Sequence, residues 1–372
     1  MILKNSFENT KEFIKNTYDT LSEIPTVGGD VRNSASLIKK AVTEISCGFF
    51  ESAVLLPCGG FVFTHSCGKK GAKKLLLDAH MDTVGFSVSE ILGDGFVAVT
   101  PVGGIDKRLL PASEIEIYGK KDISGIFVSK PGHFANLKDE GDKTLFVDTG
   151  LSDKELLKHV SVGDMCGFRT RPFEMQNDIL CGKSMDDKIC VTAVLLFVKL
   201  LLEDKNYKDE CDIIFSFSTG EESGCAPTEY IASLCPDAAV VLDVNFAREF
   251  DVPEYLSYEL GAGCGISYSV TTSRPLTDAL CLCAKENDIP LSTMVETLNT
   301  GTNAHRLSVS GKGVPTAVLS IPEKYMHQSH EAVNYADVFS CAKLLLEFAK
   351  RFSENGNFIK QSIKRKPEVS RK

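Results

Sequence analysis

Five apolar runs in this 372-residue chain each close on acidic residues or histidines. They are LLLDAHMDTVGF (75–86), GKSMDDK (182–188), FSFSTGEESG (215–224), AVVLDVN (239–245) and SIPEKYMHQSH (320–330). Each reads as a buried strand or the exit from one, and open α/β sheets place their ligands just beyond the carboxyl ends of strands. A chain with this repeated pattern is constrained to a fold that covers its strands on both faces and gathers their ends.

The rest of the chain agrees with an α/β alternation. Helical periodicity runs over 9–22 and 31–45, separated by the breaker cluster IPTVGGD, and strand-like runs follow at 52–56, 61–65 and 75–79. From about 88 to 168 the texture changes. GFVAVTPVGG, EIEIYG, ISGIFVSKPG and KTLFVDTG are short alternating runs broken by Gly and Pro, the pattern of a small β-domain. Within it DKELLKH predicts one short helix opened by a capping box of Ser152 and Glu155. The α/β alternation then resumes, with helices predicted at 188–203, 227–235, 275–287 and 336–352 and strands at 212–218, 238–244, 265–271 and 314–320. Helices that separate strands favour a largely parallel, covered sheet. The expected organisation is one discontinuous domain, 1–87 with 169–355, carrying a β-rich insert at 88–168. A basic tail at 356–372 reads as a solvated end.

Composition narrows the partners. A net charge of -9 and a pI of about 5.4 argue against nucleic acid. The longest apolar stretch, 189–202, is too short to span a bilayer and contains Lys199, and MILKNSFENTKEF has no apolar core of a signal peptide. Thirteen cysteines without a CxxC pair, many inside apolar runs, read as free thiols in a reducing cytoplasm.

The strand ends offer His80, Asp82, Asp186, Asp187, Glu221, Glu222, Asp243 and His327. His80 and Asp82 are two apart at a strand end and point to one face, and imidazole ligates zinc or cobalt while a neighbouring carboxylate fixes its tautomer. Asp186 and Asp187 precede a buried helix. A carboxylate there either bridges two cations or caps the helix. Glu221 and Glu222 follow a strand through Thr219-Gly220, so one can bind metal while the other faces its water. The alternative is a solvated acidic turn. Asp243 ends an apolar strand and needs a partner. His327 follows another, with His330 a weaker candidate. His65, His133 and His159 read as background, and His305 in GTNAHRL as a residue that lines a substrate pocket. Two divalent cations with a spare carboxylate make hydrolytic machinery.

These motifs resemble the dinuclear-metal aminopeptidases that include glutamyl aminopeptidase and the tetrahedral (TET) aminopeptidases. DAHMDTVGF is similar to that family's first metal motif. GGIDKRLLP with GKKDISGIFVSKPGH resembles its inserted dimerisation domain, and VDTGLSDKELLKHVSVGD the return from it. GKSMDDK, GEESG, VLDV, ELGAGCGI and PEKYMH follow in the family's order, so the likeness covers about residues 10–352. The resemblance implies a zinc-peptidase-like central mixed sheet covered by helices. It implies two zinc or cobalt ions, with His80 and Asp243 on the first, Glu222 and His327 on the second and Asp186 bridging. Asp82 would orient His80, and Glu221 would be the general base. The implied activity is release of N-terminal residues from short peptides by a cytoplasmic homo-oligomer, up to a dodecamer built through the inserted domain. The chain departs from the family at Lys188, where Arg is usual, at GEE in place of QEE, and at Asn303, where Asp is usual beside the expected substrate pocket. Two other readings share parts of this pattern: an N-acyl-amino-acid deacylase on the same scaffold, and a non-catalytic metal-binding assembly protein. Glycan hydrolysis is disfavoured in a chain without Trp.

Overall fold

Four apolar segments set the centre of the molecule. In the computed structural model, which describes residues 2–28, 33–57, 59–129, 133, 145–297 and 300–355, the strands Cys211–Ser218, Lys73–His80, Ala238–Phe246 and Thr316–Lys324 lie side by side. All four run parallel, with Ser218 opposite His80 and Asp243 opposite Ser320. Their carboxyl ends therefore share one edge. The flanking strands are antiparallel. Ser52–Leu55 and Phe61–His65 extend one side. Glu331–Asn334, Ile179–Gly182 and Phe173–Met175 extend the other, and Cys264–Tyr268 with Leu291–Val295 branches from Thr316–Lys324. The result is the expected mixed sheet.

Both faces of the central strands are apolar because both are covered. On one face Leu75, Leu77, Val240 and Leu242 meet the helix Met185–Glu203. That helix is buried on all sides from Met185 to Val198, so it lies inside the core, between the sheet and the helices Ile2–Ser22 and Tyr335–Asn355. On the other face Leu76, Val241 and Val318 pack beneath Ile231 and Leu307 of the short helices Thr228–Ser233 and Ala304–Leu307. Among the described residues no helix is long and apolar enough to cross a membrane. Cys166, Cys181, Cys190, Cys264, Cys283 and Cys341 are buried free thiols.

The short β runs close into a separate barrel. Gly85–Ile91, Phe96–Val102, Glu114–Tyr118, Asp122–Val128, Leu145–Asp148 and Met165–Phe168 form six antiparallel strands without a free edge. The barrel has its own core of Phe86, Val97, Ile115, Ile117, Phe127, Val147 and Phe168. Its entrance requires glycine at Gly85, where a Cβ would stand 2.5 Å from the Cys166 carbonyl and 2.6 Å from Val27. The helix Asp153–His159 is capped as its sequence predicts by Ser152, whose Oγ accepts from the Glu155 amide. Glu155 does not complete the reciprocal box; its carboxylate pairs with Lys158.

Several elements were not legible in the sequence. The hairpin Phe173–Met175 to Ile179–Gly182 turns through Asn177 and Asp178, both left-handed at φ 64° and 59°. That is the conformation Asn and Asp tolerate best after Gly. Leu291–Val295, Glu331–Asn334 and Ala304–Leu307 are only four or five residues long, too short for a periodicity to register. The basic tail lies outside the described residues.

Candidate metal centre

The shared carboxyl edge brings the acidic motifs together. His80 is the last residue of its strand, and the Met81 amide still donates to the Ser218 carbonyl at 2.8 Å, which holds the two exits side by side. His80 Nδ1 lies 2.8 Å from the Asp82 carbonyl oxygen. A carbonyl only accepts, so Nδ1 carries the proton and Nε2 presents its lone pair. Nε2 faces Asp186 Oδ1 at 2.9 Å and Asp243 Oδ1 at 3.8 Å.

His327 repeats the arrangement from the other side. Its Nδ1 donates to the Gly104 carbonyl of the barrel at 2.7 Å, and its Nε2 faces Asp186 Oδ2 at 3.1 Å and Glu222 Oε2 at 3.5 Å. The approach is close, and a Cβ on Gly104 would stand 3.4 Å from His327 Nδ1. The two oxygens of one carboxylate thus point at two imidazole nitrogens. Lone pairs opposed at such distances require a proton or a cation between them. With a proton there, burial pulls both histidines down, but the Asp186 carboxylate outweighs it, holding His327 at about 10 and His80 also above the ordinary value. Asp186 in turn is pushed up by burial and pulled further down by the two rings, ending below the usual carboxylate range.

The remaining acids surround this axis. Asp186 and Asp187 open the core helix with non-helical backbone, and the peptide between them is cis. Asp187 is fully buried; its Oδ2 accepts from the His80 amide at 3.0 Å. His80, Asp186 and Glu222 place ligand atoms within 4.8 Å of one another, as do His80, Asp187 and Asp243. Oδ1 of Asp186, Oδ1 of Asp187 and Oε1 of Glu222 are buried without a hydrogen-bond partner. Burial first, then neighbouring carboxylates, raise Asp187, Glu221 and Asp243, and lift Glu222 to about 8. Orphaned buried oxygens with two imidazoles form a donor set suited to a divalent ion such as zinc or cobalt.

Known proteins resemble this chain over most of its length. The family profile of the M42 glutamyl aminopeptidases matches residues 59–344. This chain belongs to the M42 family. The lysyl aminopeptidase of Pyrococcus furiosus is 30% identical over 303 residues, covering 78% of this chain and 86% of that protein. An aminopeptidase structure from Desulfurococcus kamchatkensis superposes with a TM-score of 0.84 at 24% identity, covering 96% of this chain and 99% of that one. The TET1 peptidase of Pyrococcus horikoshii, described as assembling into a tetrahedron or a large octahedral shell, gives 0.74 at 24% identity, covering 90% and 99%. At that identity the two structures speak for the fold. The chain is thus a peptidase of a metal-dependent family, with a His/Asp/Glu group able to hold metal.

Within this M42 peptidase the other candidates lie as follows. Asp82 reaches His80 Nδ1 mainly through its carbonyl, its carboxylate being 3.6 Å away. That carboxylate instead accepts from the amides of Glu221 at 3.3 Å and Glu222 at 3.2 Å and so holds the acidic turn. Asn303 is not brought to the cluster. It is buried behind it, its amide donating to Asp78 Oδ2 at 3.0 Å and Ser218 Oγ at 2.8 Å. His305 turns its Nδ1 to the Thr302 carbonyl at 2.5 Å. His330 is exposed and sits edge-on to Phe173. His65 stacks on Phe49 and pairs with Asp209, a structural role. Lys188, which stands where the resembling family usually has Arg, is buried. Its Nζ donates to the Ile24 carbonyl at 2.7 Å, and burial with the charge of Lys183 lowers it to about 7. Sequence reasoning missed Gly104, whose carbonyl is a backbone acceptor that leaves no mark in the side-chain pattern, and Glu331.

Proposed function

We propose that this M42 peptidase is an aminopeptidase that releases N-terminal residues from short peptides at a dinuclear metal centre. The observation that carries the reading is the Asp186 carboxylate, whose two oxygens face two imidazole Nε2 atoms supplied by two different strand ends. His80 and Asp243 would hold one divalent ion, Glu222 and His327 the other, and Asp186 would bridge them, with zinc or cobalt matching these ligands. When bound, the ions polarise the scissile carbonyl and acidify an attacking water. Glu221 is the residue left to move the proton. Its carboxylate is raised by burial toward the working pH, as a general base requires, and it takes the water's proton and returns it to the departing amine. Asp82 positions Glu221 through the amide it accepts. The free amino terminus of a peptide, a cation, complements a site with this excess of acids. The 88–168 unit is the dimerisation domain of a cytoplasmic homo-oligomer on this reading, and a dodecameric shell would restrict access to short peptides. The named relatives, aminopeptidases and TET assemblies, support this reading.

Hydrolysis of free and N-acetylated aminoacyl and dipeptide substrates by protein reloaded with Zn²⁺ or Co²⁺ tests it. Release from free amino termini alone is expected, and Glu221→Gln should lose about 10²–10⁴-fold in kcat with metal content unchanged. Cleavage of blocked substrates alone would replace the reading by a deacylase. An unaltered rate in Glu221→Gln would refute the assigned base.

A further inference from the structure

Glu331 opens the strand Glu331–Asn334 directly opposite Gly182, between the turn that carries Asp186 and the loop that carries His327. It is 1% exposed. Its Oε2 accepts from the amides of Met185 at 2.6 Å and Asp186 at 3.3 Å, and its Oε1 accepts from the amide of His327 at 2.9 Å. No lysine or arginine pairs with it among the described residues. A buried carboxylate is expensive unless its oxygens are well used, and this one spends both on the backbones of two separate loops.

Those loops need a tie. Tyr325 and His327 both sit in the left-handed region, at φ 65° and 62°, which costs a non-glycine residue energy that surrounding contacts must supply. The loop is held from the barrel side by Gly104 to the His327 ring at 2.7 Å and by Thr170 Oγ to the Ser329 carbonyl at 2.6 Å. Glu331 ties its backbone to the backbone of the Asp186 turn.

We propose that Glu331 is a positioning residue that sets the spacing between Asp186 and His327 and thereby the affinity of the second metal position. The inference rests on the dinuclear reading above. An uncharged isostere cannot replace it. A glutamine has one accepting oxygen, and its NH₂ would confront an N–H on one of the two loops, releasing either His327 or the Asp186 turn.

The test is calorimetric titration of Zn²⁺ into chelator-stripped full-length protein, wild type beside Glu331→Gln, with the absorption spectrum of bound Co²⁺ as a second readout. The second equivalent should bind about 10–100-fold more weakly, with the first weakened much less and the larger change in the Co²⁺ spectrum at the second step. At saturating metal kcat should recover while KM for the peptide stays near wild type. Glu331→Asp, which keeps the charge but withdraws it by one methylene, should fall between the two and serves if the glutamine variant does not fold. Equal weakening of both equivalents, or unchanged affinities with only a lower Tm, would overturn the positioning role. Wild type that takes up a single ion would refute the dinuclear reading itself, and the inference with it.

Discussion

Asn303→Asp restores the residue usual in the resembling family, yet in this chain it should be destructive in a pH-dependent way. The Asn303 amide stands 3.0 Å from Asp78 Oδ2, with both residues buried. An aspartate there would oppose two carboxylates at that distance. Leaving both ionised costs about 5 kcal/mol at 3 Å with an effective dielectric of about 20. Keeping one protonated at pH 7 costs about 4 kcal/mol, that is about 1.4 kcal/mol for each pH unit above its ordinary value near 3.9. Protonation is the cheaper course, so the variant takes a proton and its hydroxyl donates to Asp78 in place of the lost amide. Ser218 Oγ can still donate to the same Asp78 Oδ2, 3.4 Å away. The added carboxyl therefore has a folded-state pKa raised above the unfolded one. Its stability is intact in acid and is lost as pH rises through the folded value. At about 2 °C per kcal/mol for a chain of this size, Tm should fall by about 8 °C at pH 7 but only about 3 °C at pH 5, relative to wild type at each pH. Thermal unfolding followed by circular dichroism at the two pH values measures it. A deficit equal at both, or absent at pH 8, would refute the claim that Asn303 is a buried donor to an ionised Asp78.

Two other outcomes follow from the same physics. Asp337 accepts from the amides of Gly261 at 2.8 Å and Gly263 at 2.7 Å, and burial lifts it to about 7. Raised above the unfolded value, it stabilises in acid and loses that contribution as pH climbs through about 7. Asp337→Asn should therefore lower Tm most in acid, by an amount worth about 1–3 kcal/mol for the lost acceptor, and less at pH 8, which flattens the decline of Tm between pH 5 and 8; an undiminished slope would contradict it. Chelator stripping leaves Asp186, Asp187, Glu222 and Asp243 facing one another without cations. Asp187, Asp243 and Glu222, the last at about 8, are all raised, so protons stand in for metal in acid and are lost as pH rises. The loss of Tm on stripping should be larger at about pH 8.5 than at about pH 6 in differential scanning calorimetry, and equal losses would count against a metal-filled cluster.

The parts of this structure that the sequence revealed are those where a local pattern and a global position coincide. LLLDAH and AVVLD are apolar on both strand faces until the acid, so burial and strand end could be read together, and the structure places both at the shared edge. Roles carried by backbone atoms left no trace. Asp82 was expected to act on His80 by its carboxylate, whereas its carbonyl does so and the carboxylate holds Glu221 and Glu222. Asn303 stands beside a substrate pocket by the family resemblance alone, and its partners Asp78 and Ser218 come from two other strands. Glu331 and Glu323 did carry a signal. Each is an acid in an apolar setting, the same mark that identified Asp243. Glu323 is fully buried with neither carboxylate oxygen hydrogen-bonded.

The barrel departs from the sheet just after Val84 and returns through Thr170, and between those points it lends the Gly104 carbonyl to the His327 ring. An insert of this kind is usually the most replaceable part of a protein, since loops tolerate grafts and deletions. Here it is grafted at three points, two covalent and one through a hydrogen bond to a candidate ligand. Strands may lengthen at the far rim without consequence, but an exchange that moved residues 102–104 by more than the slack of one hydrogen bond would turn the His327 imidazole. A chimera carrying a relative's barrel must therefore import the geometry of that loop as well as its fold.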